Sequence, residues 1–429
     1  MVLMLGAPET GLAQAGDRWT RGAAAFVRLL EEEKFDSAAA MISDAVPADA
    51  LSPERLGQIW TQITSTSGPL LGLVPQSVTE QNGQHIVDME ARFERQPLRI
   101  RVVLDDALEL TGLWFLPPEP PPYTTPEYVD TTAFREFDVT VGEVPWALPA
   151  TLTLPVFAGP HPVVVLVHGS GPHDRDETIG PNRPFRDLAE GLASRGVGVL
   201  RYEKRTRVHA ARIDAASFTV DQEVIEDALA ALEAARIHDG VDPGRVYLAG
   251  HSLGGMLAPE IARRDGRVAG VALLAAPARQ IAVVLRDQLA HIASLAPTDS
   301  AARASIEATL DTIAQLEQRT VSPATNVMGA PASYYYDLDR RNPVATAAAL
   351  DVPVLIIHGG RDYQVTERDL ALWRERLSGD DVTVREFAAL NHLFIEGTGR
   401  ATPTEYYSTP GHVARSVIEA LIAWISEPR

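Results

Sequence analysis

A serine hydroxyl attacks well only when a base takes its proton and a third group holds that base, so a serine, a histidine and a carboxylate at separate strand ends are the residues to seek. The stretch Arg245-Val-Tyr-Leu-Ala-Gly-His-Ser-Leu-Gly-Gly255 supplies the serine. Val246 to Ala249 read as a buried strand, Gly250-His251-Ser252-Leu253-Gly254 fits the G-x-S-x-G nucleophile elbow, and Gly255-Met-Leu-Ala-Pro-Glu-Ile-Ala-Arg-Arg continues with helical spacing. The glycines on either side of Ser252 leave room for a strained turn in which a side chain would strike the strand or the helix. Val354-Leu-Ile-Ile-His-Gly-Gly-Arg-Asp362 puts a carboxylate in a glycine-opened loop after a strand, and Ala388-Ala-Leu-Asn-His392 puts an imidazole just past the last strand. Chain order Ser, Asp, His is the order such an elbow requires. Asp351, Asp380 and Asp381 precede strands and Asp369 sits inside a helix, which leaves Asp362 as the expected acid. His168, His251 and His358 fall in tight strand-end turns and His412 opens the final helix, which leaves His392 as the expected base.

A developing oxyanion needs two N–H donors. Leu253, next after the serine, is one; Ser170 in His168-Gly-Ser-Gly-Pro172 is the expected second, with Gly171 after it. His173, Asp174, Asp176 and Glu177 crowd the same loop, but Arg175 sits among them and no second ligand set accompanies them. Ion pairs with Arg201, Lys204 or Arg205 are expected there rather than a metal site, and the chemistry calls for no cofactor.

The elements that must position these groups follow from periodicity. Trp19 to Ile42 reads as helical, a second helix opens at Ser52-Pro53, and Val87–Phe93, Leu98–Leu104 and Leu108–Phe115 alternate as an antiparallel meander. This predicts a small α+β domain over 18–116, closed by a proline-rich linker over 117–130 containing Pro117-Pro-Glu-Pro-Pro-Pro122. Beyond it, Phe134–Val141 and Ala150–Leu154 read as edge strands, and Val163–Val167 as a strand covered on both faces. A capping box at Thr219-Val-Asp-Gln222 starts a helix. Strands at Val246–Ala249, Val268–Leu274, Val352–Ile357 and Val382–Phe387 alternate with helices, which predicts an α/β domain over 131–429 built on a doubly wound, mainly parallel sheet. A helical insertion over about 278–343 is expected to form a lid above Ser252, with Tyr334, Tyr335 and Tyr336 as candidate substrate-binding residues or, as aromatic residues beside a helix more often are, packing residues.

Composition sets limits. The 429 residues exceed one typical domain, and 45% hydrophobic content is ample for two cores. The net charge of −19, from 38 basic and 57 acidic residues, opposes nucleic-acid or anionic-membrane partners. There is no cysteine, hence no disulfide and no thiolate chemistry, and no apolar run long enough to span a bilayer. Val2 to Leu5 with Ala13-Gln14-Ala15 reads either as the end of an export signal or as an unstructured N-terminus.

Elbow, acid, histidine and oxyanion loop in this order resemble the α/β-hydrolase superfamily over residues 131–429. His168-Gly-Ser-Gly-Pro-His-Asp-Arg-Asp-Glu177, Gly180-Pro-Asn-Arg-Pro-Phe-Arg-Asp-Leu-Ala189 and Leu200-Arg-Tyr-Glu-Lys-Arg-Thr206 resemble a bacterial carboxylesterase group whose members often carry a small N-terminal domain of unknown function. The resemblance implies an esterase of short to medium acyl chains with Ser252, Asp362 and His392 at the triad positions, acting on a small-molecule ester. It also favours a secreted or periplasmic location. The same triad could serve a peptidase, an aminoacyl hydrolase or an acyltransferase, while a scaffold with a vestigial site is the reading the intact triad opposes. The N-terminal domain is expected to serve in packing, homodimerisation or as a wall of the substrate entrance.

Overall fold

The structure is a computed structural model that describes residues 10–47, 50–81, 83–95, 97–116, 118, 122–214, 217–295 and 300–427. The chain divides into two units, Met1–Pro120 and Pro121–Arg429. Val2 to Leu5, and most of the proline run at 117–122, lie outside the described residues.

In the first unit, helices α1 (Thr10–Glu31), α2 (Phe35–Ala39) and α3 (Pro53–Ser67) precede strands β1 (Leu70–Gln81), β2 (Gln84–Phe93), β3 (Pro97–Leu104) and β4 (Leu110–Leu116), paired antiparallel in that order. Phe26, Leu30, Leu56 and Trp60 pack against Val87, Met89, Ile100 and Val102 of the sheet. The single helix expected over Trp19–Ile42 is broken because Glu33 takes a left-handed φ of 55°. The cap of α3 is Ser52, whose hydroxyl accepts the Arg55 N–H at 3.3 Å. Strand β1 escaped the periodicity reading because none of its residues is fully buried, so its sequence carries no clean two-residue alternation.

The second unit is built on strands β5 (Phe134–Val141), β6 (Leu148–Pro155), β7 (His161–Val167), β8 (Gly198–Tyr202), β9 (Val241–His251), β10 (Val271–Leu274), β11 (Val354–Gly359) and β12 (Val382–Phe387). They form one sheet in the order β12-β11-β10-β9-β7-β8-β6-β5; only the pairings of β5 with β6 and β6 with β8 are antiparallel. Only β5 of the two expected edge strands is an edge, since β6 lies between β5 and β8. Its longer helices are α4 (Pro184–Ala193), α5 (Glu226–Arg236, continuing a π-helical turn over Asp221–Ile225), α6 (Leu253–Asp265), α7 (Ile281–Leu295), α8 (Ser300–Glu317), α9 (Ala332–Arg340), α10 (Glu367–Arg376) and α11 (Arg415–Ser426). The alternation of side chains along a strand explains the continuous apolar run of β7. Val163, Val165 and Val167 share a core with Leu232, Met256 and Trp373, while Val164 and Leu166 share another with Phe185, Leu188, Val417 and Leu421. Thr219 and Gln222 make the reciprocal bonds of the capping box, N–H to Gln222 Oε1 at 3.1 Å and N–H to Thr219 Oγ1 at 3.3 Å.

The linker expected over 117–130 is shorter. Tyr123 and Tyr128 already belong to the second unit, their hydroxyls donating to Asp187 Oδ1 at 2.9 Å and to the Val413 carbonyl at 2.7 Å. Among the described residues no helix is long and apolar enough to cross a membrane.

Leu421 is fully buried in the α4–α11 core, on the sheet face away from α6. Leu421→Ala should therefore lose about 2–5 kcal/mol in urea unfolding while the folded fraction keeps its activity.

Candidate active site

The turn between β9 and α6 holds Ser252 at φ 51°, a backbone region that a residue with a Cβ enters at a cost. Crowding maintains it. A Cβ on Gly250 would lie 2.2 Å from the Gly254 carbonyl oxygen, and one on Gly254 would lie 2.3 Å from that of Val167 and 2.6 Å from that of His168. The serine N–H donates to the Leu274 carbonyl at 2.9 Å, and its own carbonyl accepts from Met256 at 2.9 Å, so strand and helix grip the turn from both sides. Leu253 opens α6, where a first-turn N–H has no acceptor within the helix.

Asp362 follows β11 and is buried. Its Oδ1 accepts the N–H groups of Gln364 at 2.8 Å and Val365 at 2.9 Å, which fixes the carboxylate, and its Oδ2 accepts from His392 Nδ1 at 2.7 Å. With that nitrogen donating, the Nε2 of a neutral His392 carries the lone pair. Asn391 shapes the histidine loop, its Oδ1 accepting from Leu393 and Ile395 at 3.0 and 3.1 Å. The acid loop and the histidine loop are tied through Glu405, which accepts from Arg361 at 2.7 and 2.9 Å and from Asn391 Nδ2 at 2.8 Å. Sequence reasoning did not find Glu405, because nothing in its own stretch marks it; its use depends on two loops meeting.

Ser252, Leu253, His392 and Ser170 all line one cavity of about 310 Å³. Ile281, Val284 and Leu285 of α7 give it an apolar wall with Val365 and Leu393, and Gln288, Gln364, Tyr406 and Tyr407 give it polar groups that sequence reasoning also missed. A cavity of about 510 Å³ among Asp287, His291, Arg368 and Arg400 contains no serine.

Tyr334, Tyr335 and Tyr336 are not brought to this cavity. Tyr334 and Tyr335 are buried in the core, and the three hydroxyls donate to Glu223, to the Val327 carbonyl and to the Val321 carbonyl respectively. Helix α9 carries them inward because its apolar face packs on the sheet unit, and the wall they were expected to form is supplied by α7.

The crowded loop after β7 is held by its own charges. Asp174 Oδ1 accepts from the N–H groups of Asp176 and Thr178, Asp176 pairs with Arg201, and Arg175 donates to Glu203 at 2.9 Å. Arg205 pairs instead with Asp227. Glu177 is buried, its Oε1 accepting the Gly169 N–H at 2.6 Å and its Oε2 lying 2.9 Å from His251 Nδ1, off the direction of an aligned hydrogen bond. His251 Nε2 donates to the His392 carbonyl at 3.0 Å. Burial alone would push the Glu177 carboxyl up, but the His251 imidazolium outweighs it and holds the group down at about 2. Burial pulls His251 the other way and is likewise outweighed, so the carboxylate holds it above its ordinary value. His168, buried without such a partner on its ring, is pushed down to about 3 and stays neutral, its Nε2 donating to the Asp174 carbonyl at 3.0 Å.

The fold and the arrangement define a class: a serine on an elbow of a mainly parallel sheet, with a histidine and an aspartate following on later loops. Residues 164–404 match the model of the Alpha/beta hydrolase family, and residues 23–113 match that of a protein of unknown function, DUF3887. Over 401 residues, 93% of this chain and 93% of the relative, the sequence is 42% identical to Esterase EstD from Thermotoga maritima. Solved structures that resemble it include Est1E from Butyrivibrio proteoclasticus, at 16% identity over 68% of this chain and 99% of that one with a TM-score of 0.43. Another is the alpha/beta hydrolase GrgF from Penicillium sp. sh18, at 16% identity over 68% and 98% with a TM-score of 0.44. The chain belongs to the Alpha/beta hydrolase family.

Two outcomes test this geometry. Gly254→Ala should displace the turn and lower kcat/KM at least tenfold with a loss of roughly 1–3 kcal/mol in stability, read by steady-state kinetics and urea unfolding. For Glu177→Gln, which keeps an acceptor for Gly169 but no charge, the sign runs both ways. The depressed Glu177 stabilises above its ordinary 4.5 and loses this as pH falls towards about 2, while the raised His251 stabilises below its ordinary 6.5 and loses this as pH rises past it. The stability gap between wild type and Glu177→Gln should therefore be widest between these two ordinary values and narrow on both sides in thermal melts.

Proposed function

We propose that this protein is a serine carboxylesterase that hydrolyses short- to medium-chain esters through an acyl-enzyme. The observation that carries the reading is that Ser252 and an Asp362-held His392 line one cavity with an apolar wall. In this mechanism His392 Nε2 takes the proton of Ser252 Oγ as the oxygen attacks the ester carbonyl carbon. The carbonyl oxygen becomes an oxyanion that accepts from the N–H groups of Leu253 and Ser170. Collapse of the tetrahedral intermediate expels the alkoxide, which takes the proton from His392 and leaves Ser252 acylated. Water, deprotonated by His392, attacks the acyl carbonyl; collapse then breaks the bond to Oγ, which recovers its proton from the imidazolium as the acid departs. Asp362 keeps Nδ1 protonated throughout and offsets the charge of the transient imidazolium.

The 42% identity to a protein named an esterase supports an ester over an amide substrate. The apolar face of α7, with Ile281, Val284 and Leu285, is suited to an acyl chain, and about 310 Å³ suits a short one. In this reading α7 acts as the lid.

Ser252→Ala should lower kcat for p-nitrophenyl butyrate by about 10⁵-fold or more, and a fluorophosphonate should label wild type at Ser252 with one-to-one stoichiometry. Butyrate should be turned over at least tenfold faster than palmitate and than an aminoacyl anilide. Undiminished hydrolysis by Ser252→Ala would remove the mechanism.

A further inference from the structure

The motif around Lys204 takes no part in the chemistry described so far, yet this lysine is among the most buried charges in the molecule. Its side chain is 2% exposed, its Nζ donates to the Gly169 carbonyl at 2.7 Å, and it lies 2.6 Å from Glu223 Oε1. Tyr334 donates to the other oxygen of Glu223. Burying a lysine costs several kcal/mol even when it is paired, and such an arrangement adds little net stability over an apolar replacement. Its placement therefore calls for a reason other than stability.

The reason lies in the peptide it touches. The Gly169 carbonyl and the Ser170 N–H belong to one planar unit, which is not among the cis bonds of the described residues and is therefore trans. In a trans peptide the N–H points opposite to the C=O. Lys204 does not line the cavity and holds the Gly169 oxygen, so the Ser170 N–H is turned away from Lys204, at a residue that lines the cavity together with Gly169. On the preceding peptide the Gly169 N–H is fixed by Glu177, so the glycine is pinned at both of its polar groups. A cation on the carbonyl also draws electron density from the amide, which makes the N–H a stronger donor, most of all where the dielectric is low.

We propose that Lys204 is a positioning residue that aims and polarises the Ser170 N–H toward the oxyanion, with Glu223 as its counter-charge. The proposal rests on the esterase reading above. It predicts an effect on the tetrahedral state and little on the bound ester, because the oxyanion exists only in the former.

The test compares Lys204→Met with Lys204→Met/Glu223→Gln, the second of which leaves no unpaired buried charge should the first fail to fold. For p-nitrophenyl butyrate, kcat should fall about 10–100-fold in both while KM stays within about threefold. Ki for an alkyl trifluoromethyl ketone, which forms a tetrahedral adduct with the serine, should rise in step with the fall in kcat/KM. A double variant that folds and regains wild-type kcat would overturn the proposal, since the lysine would then matter only as half of a charge pair. Equally, a fall in kcat with no change in the ketone Ki would overturn it. Wild type that fails to react with a fluorophosphonate would remove the esterase reading first, and this proposal with it.

Discussion

The constraint on which the site depends is the close approach of backbones where β9 turns into α6. Gly250 and Gly254 lie within 2.8 Å of neighbouring main-chain atoms once a Cβ is imagined on them, and Gly255 within 2.7 Å of the Ala276 side chain. Only a turn this tight lifts Ser252 clear of the sheet edge at φ 51°. Because β7, β9, β10, β11 and β12 are parallel, the loops after them leave at one edge of the sheet. The turn, the acid loop and the histidine loop thus meet without any of them having to travel far, which is the geometric reason that open parallel sheets place their chemistry at the carboxyl ends of strands.

A site assembled at such an edge is largely out of water, and it has to hold charge there. Glu177, Lys204, His251, Asp362 and His392 are all buried, and each has a partner of opposite charge or a backbone group within hydrogen-bond reach. Read in sequence, these contacts run from the His392 carbonyl through His251 and Glu177 to Gly169, then through Lys204 and Glu223 to Tyr334. The loop after β7, the turn at Ser252, the loop after β12 and the inserted helix α9 are thus linked by polar contacts within the second unit. In a low dielectric each such contact is costly to leave half made, so the network favours one arrangement over its neighbours.

The insertion between β10 and β11 divides its labour along these lines. Helix α7 turns Ile281, Val284 and Leu285 to the cavity, while α8 and α9 return Ile313, Leu316, Tyr334 and Leu338 to the core. Arg286 pairs with Glu317 at 2.7 Å and ties α7 to α8. Ile281 and Val284 belong to that core as well, so α7 both packs and faces the cavity.

The elements were legible where local chemistry and periodicity agree. The run of β7, the capping box at Thr219, the span of β12 and the glycine pattern around Ser252 follow from side-chain alternation, helix-end hydrogen bonding and Cβ sterics, all of which act over a few residues. The tyrosines at 334–336 left two readings open, pocket or core, because aromatic residues serve both and the orientation of a helix is not written in its own sequence; the structure gives the packing one. Strand β1 was missed because its residues never reach full burial. What the tertiary structure alone decided is the company each buried polar group keeps: Glu405 between Arg361 and Asn391, Glu177 against His251, Lys204 on the Gly169 oxygen. Those contacts join segments from 14 to 74 residues apart, and they arise only once desolvation forces each charge to find whatever partner the packed sheet brings near it.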